Sequence, residues 1–129
     1  MPVLPHHNVY TRLGVSLIHG VGVFAIRPIP AGTMIFEGDE AEIIWVNKAD
    51  LKDLSPAELK LYEFGLVRGD SVACPKSFNN LTPGWFVNHN ENDPNLIYDS
   101  EQYCYFAARD IAVGEELTAN YQSYSDNII

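Results

Sequence analysis

The chain predicts a mainly β fold, short twisted antiparallel strands with one main helix, on three observations. β-branched residues gather in short runs interrupted by glycine, the pattern of brief strands. One segment alone carries a complete helix start. A content of 9 Gly and 8 Pro in 129 residues implies frequent turns between the strands.

Taken in order, Val9 to Ile18 and Val21 to Ile26 place β-branched residues on either side of Gly20 and Gly22, and Thr33 to Phe36 and Glu42 to Val46 continue in that style. The helix starts at Leu54-Ser55-Pro56-Ala57-Glu58-Leu59. Ser55 is placed to cap, Pro56 has the fixed φ of a first helical residue, Glu58 completes a capping box, and Leu54 and Leu59 stand at the staple positions. Leu59, Tyr62 and Leu66 make an apolar stripe at helical spacing, which reads as core packing. Beyond Gly69, Ser71 to Cys74 reads as a strand, and Pro75 to Gly84 as a loop rich in Asn, Pro and Gly. Two stretches echo each other: Phe24 to Ile35 and Phe106 to Leu117 share Phe, Ala, Arg, Ile and Gly at equal offsets. Each reads as strand, turn on Gly, strand. Two units are too few for a repeat protein, and similar turn chemistry accounts for the echo.

A chain of this length is expected to form one domain spanning residues 1–129, burying about two-thirds of its unfolded surface. No apolar run approaches the ~20 residues that a membrane-spanning helix needs; the run from Ala41 to Val46 is interrupted by Glu42, and Met1 to His7 lacks the pattern of a secretory signal. The expectation is a soluble intracellular protein, not attached to a membrane. Cys74 and Cys104 are too few for a disulfide scaffold or a four-thiolate zinc site and read as buried free thiols. Lys and Arg number 8 against 17 Asp and Glu, a net charge of -9. Phosphate binding needs clustered cations, so the balance argues against direct nucleic-acid binding. It suits a basic peptide partner, or serves solubility alone.

Three motifs carry candidate chemistry. His19-Gly20-Val21-Gly22-Val23 puts two residues without Cβ close together, so the backbone can take positive φ and a ligand can approach; a hairpin or bulge is the plainer reading. Trp85-Phe86-Val87 gives way abruptly to Asn88-His89-Asn90-Glu91-Asn92-Asp93-Pro94-Asn95, whose amides must be solvated or satisfied by backbone and ligand. An exposed Asx turn, or a metal loop on His89, Glu91 and Asp93, are the alternatives there. Gly114-Glu115-Glu116-Leu117-Thr118-Ala119-Asn120-Tyr121 ends on a tyrosine that, in isolation, could be an edge-strand aromatic with a wet hydroxyl.

In this order and at these distances, from about Tyr10 to Tyr121, the motifs resemble those of the SET domain, the family of S-adenosylmethionine-dependent protein lysine methyltransferases. The resemblance implies a SET fold in which the C-terminal strand threads near the Asn88 loop in a knot-like arrangement. It implies that Gly20, Val21, Gly22 and Val23 lay main-chain groups against the methionine end of the cofactor. Asn88 would bond its amino acid part, and the residues around His89 would reach the adenine. Tyr121 matches the family's principal catalytic tyrosine, and Tyr98 stands where many relatives line the lysine channel with Tyr or Phe. Departures are visible as well. Four residues separate His89 from Pro94 where three are usual, Asn90 replaces a common Ser, Asn120 stands where Asp is frequent, and Phe36, a substrate-channel position, replaces a Tyr. The residues after Tyr121 hold no cysteine, so Tyr124 or a partner chain is expected to cover the cofactor in place of a cysteine-rich zinc segment. The variable insert, about residues 46–84, is expected to shape the substrate groove.

The implied function is metal-free methyl transfer from S-adenosylmethionine to the side-chain amine of a lysine in a basic protein or peptide. A Tyr at position 98 narrows the channel and favours monomethylation. A SET-like module that binds cofactor or a basic peptide without turnover is the alternative.

Overall fold

The structure is a computed structural model that describes residues 4–37, 39 and 42–124. Met1 to Val3, Gly38 of the Phe36-Glu37-Gly38-Asp39 run, Glu40, Ala41 and the residues after Tyr124 lie outside them.

Strand β1 (Thr11–Val15) and strand β2 (Val21–Ala25) form an antiparallel hairpin in the register Thr11↔Ala25 to Val15↔Val21. Its turn is closed by the Ser16 amide on the Gly20 carbonyl at 2.8 Å. Three short strands follow in the order β3 (Met34–Ile35), β4 (Ile43–Asn47) and β5 (Leu66–Arg68), and β6 spans Ser71–Pro75. The motif segments supply β7 (Asn88–His89), β8 (Leu96–Asp99), β9 (Cys104–Ala107) and β10 (Glu116–Ala119). They assemble into three small sheets, ordered β1-β2-β10-β7, β3-β9-β8 and β4-β6-β5. Mostly strands with one main helix, this is the architecture the sequence predicts, with β1, β2 and β3 shorter than their apolar runs because turns cut in.

The helix begins as read. Ser55 Oγ accepts from the Glu58 amide at 3.1 Å, and Glu58 accepts from the Ser55 amide at 3.0 Å, a full capping box. It then runs for one α turn, α1 (Pro56–Leu59), and tightens into a 3-10 segment over Lys60–Phe64. Leu66 therefore falls in β5 and not on the helical stripe. The reason lies in Gly65: a Cβ there would sit 2.3 Å from Val72 Cγ1 and 2.8 Å from the Ala73 carbonyl oxygen, so the chain turns into the sheet where only a glycine clears it. This insert has its own small core of Leu51, Val67 and Val72.

Strand β10 is central to the main core. It pairs antiparallel with β2 through Glu116↔Phe24 and Leu117↔Val23, then parallel with β7 through Thr118↔Asn88 and Ala119↔His89. Flanked on both sides, it is buried along Leu117, Thr118 and Ala119, as a near-continuous apolar strand should be. The last strand thus runs beside the Asn88 segment, as expected. Asn95, 2% exposed, holds the crossing: its Nδ2 donates to the Glu116 carbonyl at 2.9 Å and its Oδ1 accepts from the Thr118 amide at 2.8 Å.

The two echoed stretches pack against each other in a reciprocal way. Ile29 and Ile111 exchange both backbone hydrogen bonds, at 2.9 and 2.8 Å. Gly32 donates to the Ala107 carbonyl and Gly114 to the Ala25 carbonyl; Ala25 donates to Glu115 and Ala107 to Thr33. Each of these backbone bonds is returned at the matching position, a local two-fold relation that explains why the same residue types recur. Among the described residues, no helix is long and apolar enough to cross a membrane.

Candidate active site

The four sequence segments singled out above meet at one cavity of about 1130 Å³. His19, Gly20 and Val21 come from the β1–β2 turn, Asn88 and His89 from β7, Tyr98 from β8, and Tyr121 and Tyr124 from the turn after β10. Phe36 and Trp85 also line it, and Glu63, Gly65, Leu66 and Thr82 of the insert form part of its wall. Gly22 and Val23 do not line it. Val23 is fully buried in the main core. At Gly22 a Cβ would sit 2.4 Å from Glu116 Oε2, so this glycine makes room for a carboxylate. Gly20, with φ of +48, is the member of the pair that uses the left-handed region.

Asn88 is 8% exposed. Its Nδ2 donates to the carbonyl of His19 at 3.0 Å, to that of Val21 at 3.3 Å and to Glu116 Oε2 at 2.9 Å. Since all three partners are acceptors, the amide orientation is fixed by the network. Oδ1 accepts no hydrogen bond among the described residues, which also hold no sealed, partnerless side-chain polar atom. This acceptor is therefore open to the cavity that Asn88 lines. His89 turns inward, its Nδ1 accepting from the Tyr121 amide at 3.0 Å, which leaves Nε2 as the protonated nitrogen of the neutral ring. The longer loop between His89 and Pro94 is closed on itself as an Asx turn: Asn90 Oδ1 accepts from the Asn92 and Asp93 amides, both at 3.1 Å. Asp93 lies 3.7 Å from Arg109 and Glu91 4.0 Å from His89 Nε2, and among the described residues no group of three or more His, Cys, Asp and Glu could hold a metal ion. Asn120 caps the last turn, accepting from the Gln122 amide at 3.0 Å, a task Asp would do equally.

The opposite wall is aromatic. Ring centroids lie 4.5 Å apart for Tyr98 and Tyr124, 4.9 Å for Tyr98 and Tyr105, and 6.0 Å for Tyr121 and Tyr124. The Tyr105 and Tyr124 hydroxyls share a hydrogen bond of 3.3 Å, and the Tyr121 hydroxyl donates to the Val87 carbonyl. Desolvation, with the Glu116 carboxylate adding to it, pushes the Tyr121 phenol up to about 12. Tyr98 is also pushed up to about 12, chiefly by desolvation, and burial raises Tyr105 and Tyr124 as well. All four stay neutral at physiological pH and act as hydrogen-bonding groups, not anions. Phe36 meets Tyr105 edge-on at 6.0 Å, and it does so from a backbone φ of 63°; Tyr103, also on the cavity, has φ of 55°. Left-handed backbones at bulky residues cost on the order of 1–3 kcal/mol and tend to gather at ligand sites. Of the two thiols, Cys74 is buried as expected, whereas Cys104 is half-buried on the cavity; both are held protonated by desolvation.

Sequence reasoning passed over Glu116, Tyr105 and Ser16. Glu116 did leave a signal, an acid at the head of an otherwise apolar strand, but Tyr105 in Cys104-Tyr105-Phe106 looks like any strand aromatic.

The SET domain family matches residues 20–122. A search among curated protein sequences finds no match. Among solved structures 183 chains match. One is the crystal structure of a Plasmodium falciparum "putative histone methyltransferase", with 19% identity, 88% of this chain and 93% of that chain covered, and a TM-score of 0.52. At that identity the likeness is one of fold.

Proposed function

The chain belongs to the SET-domain family, and from that premise we propose that it transfers a methyl group from S-adenosylmethionine to the side-chain amine of a lysine in a basic protein or peptide, mainly once per lysine. The observation that supports this best is convergence: His19 to Val21, Asn88-His89 and Tyr121, far apart in sequence, line one cavity with four further tyrosines.

The residues present fit the cofactor. The open Oδ1 of Asn88 can accept from an ammonium, and Gly20, Val21, His89 and Tyr124 offer backbone and ring surfaces beside it. When bound, the cofactor supplies an electrophilic methyl group on a cationic sulfur. The protein's part is to hold and orient. Lysine ionises at about 10.4 in water, and an aromatic, desolvated wall lowers that value, favouring the free amine. Tyr121, tied to the Val87 carbonyl, keeps its oxygen fixed with acceptor capacity for the substrate amine, so alignment and fixed dipoles contribute most of the acceleration. The four tyrosines present neutral hydroxyls to this wall, which, unlike a carboxylate, do not hold lysine as ammonium. Glu37 and Glu63, elsewhere on the cavity, together with the net charge of -9, suit a basic substrate.

The test has two arms. S-adenosylmethionine at about a hundred times its Kd should stabilise the protein by about 2.7 kcal/mol, a rise in Tm on the order of 10 °C, with no metal added. Labelled cofactor with a cell lysate should then mark lysine in a protein. Absence of any thermal shift at millimolar cofactor removes the reading; a shift without labelled product leaves a binding module.

A further inference from the structure

We propose that Glu116 is a positioning residue: it aims the Asn88 acceptor into the cavity and sets a fixed negative charge behind it, so that the site selects ligands carrying an ammonium group. This rests on the cofactor reading above, which uses Asn88 but does not depend on Glu116, Ser16 or Gly22.

Three observations converge on the carboxylate. Its Oε2 accepts from Asn88 Nδ2 at 2.9 Å, and both oxygens accept from the Ser16 hydroxyl, at 2.8 and 2.9 Å. Ser16 Oγ in turn accepts from the Ile18 and His19 amides at 2.9 and 3.2 Å, so one anion braces both the β1–β2 turn and Asn88, two walls of the same cavity. Lastly, the position opposite is Gly22, where any Cβ would collide with Oε2.

The asymmetry of Asn88 follows from this arrangement. Its two N–H groups face three acceptors and are fully committed inside the protein, which leaves only Oδ1 for a ligand. A brace alone needs no charge. Yet among the described residues the ion pairs leave Glu116 without a cationic partner. A carboxylate without a counter-ion attracts a cation that settles one side chain away, the more so where water is partly excluded. An ammonium donating to Asn88 Oδ1 is placed to do that.

The experiment measures equilibrium binding of two probes, S-adenosylhomocysteine, which carries the ammonium-bearing arm, and 5'-methylthioadenosine, which has the same nucleoside and sulfur without it. In Glu116→Gln the amide can still accept from Asn88, but the charge is gone and a donor faces Ser16. We expect it to weaken S-adenosylhomocysteine by about tenfold or more while 5'-methylthioadenosine stays within about twofold. A second variant guards against a folding defect: Gly22→Ala keeps every hydrogen-bonding group and drives the flexible carboxylate off Asn88, with the same selective loss expected. Equal weakening of both probes, or unchanged selectivity in both variants, overturns the proposal, since a merely structural brace would not discriminate between them. A wild-type protein that binds neither probe overturns the cofactor reading and this inference with it.

Discussion

Replacing Asn95 by Ala should unpin the strand on which the whole site depends. β10 leaves β2 for β7 between Leu117 and Thr118, and at that switch the side chain of Asn95 supplies what a neighbouring strand would otherwise supply, one acceptor for the Thr118 amide and one donor for the Glu116 carbonyl. The residue is 2% exposed and Thr118 4%, so water cannot easily take over. Each broken bond that leaves a buried partner unsatisfied costs about 1–3 kcal/mol. Two of them, with the small cavity left by the lost amide, give about 3–4 kcal/mol, a large share of a typical total of about 5–15 kcal/mol. Urea unfolding followed by tryptophan fluorescence should show the midpoint falling by about 1.5–2 M with the slope unchanged. Asn95→Asp separates hydrogen bonding from volume, because it keeps the size and the acceptor but loses the donor and sets a carboxylate against the Glu116 carbonyl. It should be destabilised comparably. A loss under about 1 kcal/mol in both variants would refute the argument that these bonds hold the crossing.

Other expectations follow from the tyrosine wall. Tyr121→Phe should slow methyl transfer by about a hundredfold, as loss of one oriented hydroxyl does elsewhere, with cofactor affinity nearly kept; an equal single-turnover rate would show that the hydroxyl plays no part. Mass spectrometry of a peptide methylated by the wild type should show mainly one addition, and Tyr98→Phe should shift product toward two or three; mostly trimethylated wild-type product would mean that Tyr98 does not set the width. Stability should fall above pH 10. Tyr121 ionises near 10 in the unfolded chain and at about 12 in the fold, so the stability present below pH 10 is lost as pH rises toward 12, by about 2–3 kcal/mol for this residue. Urea titrations from about pH 9 to pH 11.5 should show Tyr121→Phe losing less than the wild type over that interval; parallel losses would count against a desolvated hydroxyl.

What the sequence determined by itself was local chemistry and its order along the chain. The capping box of Ser55 and Glu58 was legible because it needs only residues a few positions apart. The strand runs, Gly20 with its positive φ, and the motif order that pointed to Asn88, His89, Tyr98 and Tyr121 were legible for the same reason, and all four of those side chains reach the cavity. The tertiary structure decided how that chemistry is used. Leu66 fits a helical stripe by spacing, yet Gly65 turns the chain into a sheet because Val72 leaves no room for a Cβ. Gly22 looked equivalent to Gly20, but it serves the carboxylate of Glu116, which arrives from the far end of the sequence. The echoed stretches looked like two similar turns and are two halves that bond each other. In each case the deciding partner lies outside the local window, where hydrophobic period and turn chemistry carry no information. Only the pairing of β10 between β2 and β7 brings Glu116 to Asn88 and gives that acid, one of many in the chain, its place behind the cavity.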